Sequence, residues 1–182
     1  MARVSYATVS QASGDAREVL ASMEQRGREA LNIHRAVARS PNSLRNFFRL
    51  GNSLLQYGQL APNLRELAIL RIAQVTGADY EWAHHVPMAK TAGVKDSQIA
   101  HLADWENLDE FSPVEKAVLG YVQATTSCSV TDAVFDAARS FLSEAEMVEL
   151  TLVCGYWSMV ACLLLALRID IEPSAKKYLP IP

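Results

Sequence analysis

From Leu150 to Leu167 the chain runs eighteen residues without a charge, LTLVCGYWSMVACLLLAL, bounded by Glu149 and Arg168. A run of that length sits at the lower limit for crossing a hydrocarbon core of about 30 Å; in water it has to be covered by other protein. Thr151, Gly155 and Ser158 interrupt its apolarity, and Ser143 with Glu146 just upstream forms a capping box that starts a helix in water. The run is therefore expected to be a buried central or subunit-interface helix, with no membrane partner.

The rest of the chain must supply that cover, and its punctuation is helical throughout. Period-two alternation bounded by hairpin turns is absent, so the fold is read as all-α. Asp15 opens an amphipathic stretch with Val19, Leu20 and Met23, interrupted at Gly27 before Leu31 to Ala38 continues. Ser40 and Pro41 restart a helix carrying Leu44, Phe47, Phe48 and Leu54. Pro62 begins the next, which ends at Thr76 and Gly77, and Asp79 caps another reaching Gly93 with Pro87 inside it. These two make a helical hairpin. A short helix follows from Asp96 or Ser97 to His101. Ser112, Pro113 and Glu115 form a second capping box, which introduces a helix to about Thr125; shorter and longer helices follow over 132–141 and 144–168. One domain over 1–182 is expected, with N-terminal helices in 1–60, a core hairpin and cap helix in 61–103, and C-terminal helices in 112–170.

Composition narrows the function classes. The net charge is -3 with scattered basic residues, which offers nothing to a phosphate backbone, so no nucleic acid is expected. The three cysteines, Cys128, Cys154 and Cys162, form neither a Cys-x-x-Cys pair nor a secreted framework, and Met1 to Gln11 lacks a signal-peptide pattern. A cytoplasmic protein is expected.

Three residues carry the chemistry. Glu66 shares a helix face with Ile69, Leu70 and Ala73, so its carboxylate projects from an apolar stripe, where burial raises a carboxyl toward the range useful for proton transfer. A structural ion pair, with Arg65 or Arg71, is the plain alternative. Glu81 and His85 stand at i and i+4, where a carboxylate can fix and polarise an imidazole. His84 points about a quarter-turn away. Tyr80, Trp82 and His84 are expected to bind substrate or shape its pocket.

Other chemistries fit less well. Glu81 to His84 has the Glu-x-x-His spacing of di-iron bundles, but no second copy of it exists, and the helix motifs of zinc hydrolases are missing, so no metal is expected. Gly-rich phosphate loops and a Gly-x-Ser-x-Gly elbow are also absent. Cys154 and Cys162 lie on the most apolar helix and read as packing residues.

The stretch 63–94, NLRELAILRIAQVTGADYEWAHHVPMAKTAGV, resembles the core hairpin of the carboxymuconolactone decarboxylase and alkylhydroperoxidase D superfamily, and segments 39–55 and 141–173 are similar to its flanking elements. The peroxidase branch carries a glutamate, a Cys-x-x-Cys pair with a histidine between, and a histidine four residues on. Here Glu66 takes the place of the glutamate, Ala78 and Glu81 replace the cysteines, Tyr80 replaces the intervening histidine, and His85 keeps the last position. Thiol peroxidase chemistry needs a low-pKa thiolate and a resolving partner, so the resemblance fits better to the decarboxylase branch, whose Glu-x-x-x-His is matched by Glu81 and His85.

The resemblance implies a helical bundle of the alkylhydroperoxidase D type, cofactor-free and homo-oligomeric, a trimer or hexamer. It implies an acid/base enzyme, a decarboxylase-like lyase acting on a small carboxylated or lactone-type metabolite. His85 would exchange the proton, Glu81 would orient it, and Glu66 would assist. A peroxidase-type antioxidant protein with replaced thiols and a non-catalytic metabolite-binding oligomer remain as alternatives.

Overall fold

A computed structural model describes residues 1–179. Among them the regular elements are helical: α1 Gly14–Gln25, α2 Asn32–Val37, α3 Leu44–Gln56, α4 Pro62–Thr76, α5 Asp79–Thr91, α6 Asp96–Ala100, α7 Pro113–Thr126, α8 Asp132–Arg139 and α9 Glu144–Leu167.

Helix α4 is the axis of the molecule. Every residue from Leu64 to Ala73 except Arg71 is buried, because α5, α7 and α9 pack around it. Pro62 fits its first turn, where no amide donor is missed, and Gly77 closes it in the left-handed conformation at φ 70°. That closure turns the chain back as α5 and makes the hairpin. The Ser112–Glu115 and Ser143–Glu146 capping boxes form as the sequence implies, each with the serine hydroxyl oxygen accepting a backbone N–H and the glutamate reaching back to the serine N–H.

The restart expected at Pro41 comes three residues later. Residues 41–43 form a turn, and α3 begins at Leu44, because the Pro41 carbonyl accepts the N–H of Ala16 at the start of α1 (2.9 Å). Likewise α5 is not capped by Asp79, which is already its first residue; Ala78 precedes it.

The apolar run lies in α9, which is long and apolar enough to cross a membrane by length and composition. It is covered on one face. Leu150, Val153, Cys154, Tyr156, Trp157, Val160, Ala161 and Leu164 are buried, whereas Val148, Leu152 and Met159 stand exposed on the opposite side. Arg168 ends the helix in the left-handed conformation (φ 50°), and the chain returns through Asp170 and Glu172 alongside α2 and α5. This return matters, because it brings Glu172 to the site.

Candidate functional site

Helix α5 presents two adjacent histidines to two different polar clusters. His85, 8% exposed, faces inward: its Nδ1 hydrogen bonds Glu66 Oε2 on α4 (2.8 Å), and the indole Nε1–H of Trp157 on α9 donates to its Nε2 (3.0 Å). An indole nitrogen can only donate, so Nε2 is the acceptor, and the proton of the neutral ring sits on Nδ1, donated to the carboxylate. Glu66, 1% exposed, is compensated on its other oxygen by the guanidinium of Arg65 (3.2 Å), itself 8% exposed. The buried chain therefore runs Arg65, Glu66, His85, Trp157, with each polar group matched.

Two expectations change here. The ion pair with Arg65, expected as the alternative to a proton-transfer role for Glu66, forms, and Glu66 also bonds His85, a pairing the spacing did not suggest. Glu81 does not orient His85: side chains at i and i+4 share a face, but Glu66 and Trp157 take both ring nitrogens. Both ring nitrogens of His85 are therefore engaged within the protein.

Glu81 is the opposite case. It is 2% exposed, and neither carboxylate oxygen has a hydrogen-bond partner among the described residues. Burial pushes its pKa well above the ordinary carboxylate value, which favours the neutral acid. An orphaned buried carboxyl is costly to the fold and is the side chain most available to a ligand.

His84, one residue before His85, turns toward the chain return. Its Nε2 meets Glu172 Oε2 at 2.7 Å, while Oε1 accepts from the Tyr80 hydroxyl (2.8 Å) and the Asn32 N–H (2.6 Å). Burial alone would raise the Glu172 carboxyl, but the donors from His84, Asn32 and Tyr80 overcome it and hold it at about 2. Burial first, then the Glu172 charge, keeps the Tyr80 phenol protonated and donating. Tyr80 and His84 thus form one wall with Glu172.

Between the two clusters lies a cavity of about 280 Å³. Glu81, His85 and Trp157 line one side, Tyr80, His84 and His34 another, and Phe47, Phe48, Gly51 and Leu55 of α3 close it. Among the described residues no lysine, arginine or cysteine lines it. Trp82 does not reach it. Its indole packs in a separate cluster with Leu67, Leu70, Val86 and Trp105 and borders a different depression beside Lys90 and Tyr178, so its expected contact with substrate in this cavity is withdrawn.

His34 and Glu172 escaped sequence reasoning. Glu172 lies 88 residues beyond His84 in an irregular segment, with no periodicity to mark it. His34 had one faint signal, its place three residues after Leu31 at the start of a short helix, where a side chain can accept the Leu31 N–H. Among the cysteines, Cys154 is buried and its thiol is pushed up to about 12 by burial, while Cys128 and Cys162 are exposed away from the cavity. Among the described residues no three His, Cys, Asp or Glu side chains are grouped to hold a metal ion.

A glutamate on the central helix is thus bound to a histidine on the returning arm of the hairpin, in an all-helical bundle. Residues 41–124 match the carboxymuconolactone decarboxylase family. The fold is shared with a peroxidase-related protein from Ralstonia eutropha with an alkylhydroperoxidase D core (TM-score 0.79, 16% identity, 96% of this chain and 94% of that one). It is shared too with a protein from Agrobacterium tumefaciens described as a putative antioxidant defence protein (TM-score 0.68, 20% identity, 75% and 94%) and with the debrominase Bmp8 in complex with 2,3,4-tribromopyrrole (TM-score 0.73, 16% identity, 86% and 84%). The Bacillus subtilis protein YdfG is 30% identical over 92 residues, which cover 49% of this chain and 63% of that protein's length. Residues 41–124 are thus similar to the carboxymuconolactone decarboxylase family, within a fold shared with alkylhydroperoxidase D-like proteins.

Proposed function

We propose that the protein is a proton-transfer enzyme acting on a small, neutral, lactone- or carbonyl-type metabolite, with Glu81 as the group that exchanges the proton. The observation that carries this reading is the unpartnered, buried Glu81 carboxyl on the wall of an otherwise apolar cavity. A carboxyl held neutral by burial gives up a proton to a ligand atom, and the carboxylate left behind recovers one from a neighbouring carbon, so the acid is restored and nothing is lost. The Arg65–Glu66–His85–Trp157 chain holds α4, α5 and α9 in register around that carboxyl.

Of the carboxylated and neutral ligands that the family resemblance suggests, the lining favours the neutral ones. Arg65 is engaged by Glu66, and the cavity has no cationic side chain free to meet a carboxylate. A like-folded debrominase in complex with 2,3,4-tribromopyrrole gives a precedent for a small neutral ring in this architecture. A thiol-peroxidase reading lacks support, since no cysteine borders the cavity. Self-association belongs to the same proposal: the exposed stripe Val148, Leu152 and Met159 on α9 is uncharged, and a second copy of the chain would cover it.

The test is hydrogen exchange. In deuterated buffer, the wild-type protein should speed deuterium uptake at the ring carbons of 2(5H)-furanone, followed by proton NMR, and E81Q should abolish that acceleration. Undiminished exchange by E81Q, or acceleration confined to carboxylated lactones, would sink the reading.

A further inference from the structure

We infer that His34 is the second anchor of the cavity, an uncharged hydrogen-bond donor that takes the carbonyl oxygen of the ligand while Glu81 faces the ligand's exchanging carbon. The inference rests on the reading of Glu81 given above and adds the group that selects the substrate class.

The geometry fixes which way His34 presents itself. The backbone N–H of Leu31 donates to His34 Nδ1 (3.2 Å), so that nitrogen is an acceptor and the ring proton of the neutral imidazole resides on Nε2. The Phe48 ring lies against it at a 48° tilt with centroids 4.2 Å apart, which limits its rotation. Among the described residues the ring's one hydrogen bond is that at Nδ1, which leaves Nε2 open, and the side chain lines the same cavity as Glu81. A donor with its orientation set from behind and its proton unclaimed in front is arranged for an acceptor that comes from outside the protein.

Its charge state suits a carbonyl and not an anion. Burial, opposed by the nearby Glu172 charge and assisted by His84, lowers His34 to about 4, so the ring is neutral in ordinary buffers. A neutral imidazole donor polarises a carbonyl oxygen and makes the adjacent carbon a better proton donor, without providing the full positive charge that would hold a carboxylate. His34 and Glu81 therefore ask for one molecule with an acceptor oxygen and, within the same small ring, a carbon able to lose and regain a proton. Conjugated lactones and cyclic enones meet both demands, whereas hydrocarbons meet neither.

The test uses the full chain, with 2(5H)-furanone as the carbonyl probe and 2,5-dihydrofuran as the same ring without it. Titrating nitrogen-15-labelled wild-type protein should shift the His34 Nε2 signal with furanone and leave it nearly unmoved with dihydrofuran. H34F, which keeps a ring against Phe48 but has no donor, should weaken furanone binding about tenfold or more and change dihydrofuran binding by less than about twofold. H34Q, which retains a donor, should recover part of the loss. Equal effects on the two probes, no movement of the His34 signal, or no furanone binding by the wild type would each overturn the inference. Because binding is read apart from turnover, a protein that shifts His34 with furanone yet exchanges protons normally as E81Q retains the His34 anchor and loses the Glu81 mechanism.

Discussion

His84 and His85 are neighbours in sequence and strangers in environment. His85 is locked between Glu66 and Trp157 in a chain compensated by Arg65, all buried; His84 leans on Glu172, which also gathers Tyr80 and the Asn32 amide at the half-buried edge of the cavity. Both rings border the cavity, but His85 has both nitrogens bonded, whereas among the described residues His84 is bonded through Nε2 alone. The difference teaches that satisfaction, and not residue identity, separates scaffold from site. The Glu81 oxygens, buried without a partner, and the unbonded His34 Nε2 lie on the cavity between the two clusters, whereas Arg71 Nε, also buried without a partner, lies away from it.

The comparison breaks most sharply at Glu66. E66Q leaves the Arg65 guanidinium buried without its counter-charge, a defect that costs about 3–5 kcal/mol, so its denaturant midpoint should fall far below that of wild type. A comparable fall in E172Q would erase the distinction between the two clusters. His34 comes next. Its lowered pKa means that the unfolded chain takes up a proton which the native one refuses, so stability is complete above about pH 6.5 and declines as pH drops toward about 4. H34Q should flatten that decline by up to about 3 kcal/mol, measured by urea melts at pH 7 and pH 4.

W157F removes the indole donor and should cost about 1–2 kcal/mol while releasing His85 from its single tautomer, visible in the ring nitrogen shifts. An unaltered His85 tautomer in W157F would show that Glu66 alone sets it. The smallest effect is expected of E81Q at acid pH, where the folded and unfolded chains both hold the Glu81 proton and one neutral unpartnered group replaces another. The folded pKa of Glu81 lies above the unfolded value of about 4.5, so the native state holds the extra proton and stability declines as pH rises from that value toward the folded one. E81Q should lose this slope and melt later than wild type at alkaline pH while it loses turnover; a parallel pH profile would mean that Glu81 is ionised in the native protein.

Much of the architecture was readable before any coordinates, because it is written in local signals. Pro62, Gly77 and the two capping boxes act within a few residues, and they place α4, α7 and α9 nearly to the residue. Glu66 was visible as a carboxylate on an apolar stripe. What failed was the step from shared helix face to shared hydrogen bond. Glu81 and His85 have the right spacing, but partners 19 and 72 residues away, Glu66 and Trp157, hold the imidazole. Trp82 failed for the related reason that helix position does not say which of two packed faces meets the cavity. Glu172 was invisible, since only the turn after Arg168 brings it to α5, and that path depends on the whole packing.

Gly51 sets a limit on all of this. It occupies the interior of α3, where glycine is a poor helix former by about 1 kcal/mol relative to alanine. A single methyl group there would lie 2.5 Å from the Tyr156 hydroxyl, which donates to the Phe47 carbonyl at 3.0 Å. Any side chain at 51 would therefore push the Tyr156 ring aside, and that ring lines the cavity. The range of molecules that fit is governed at this point by an atom the chain does without, and an alanine here would be the smallest change by which a relative could narrow its diet.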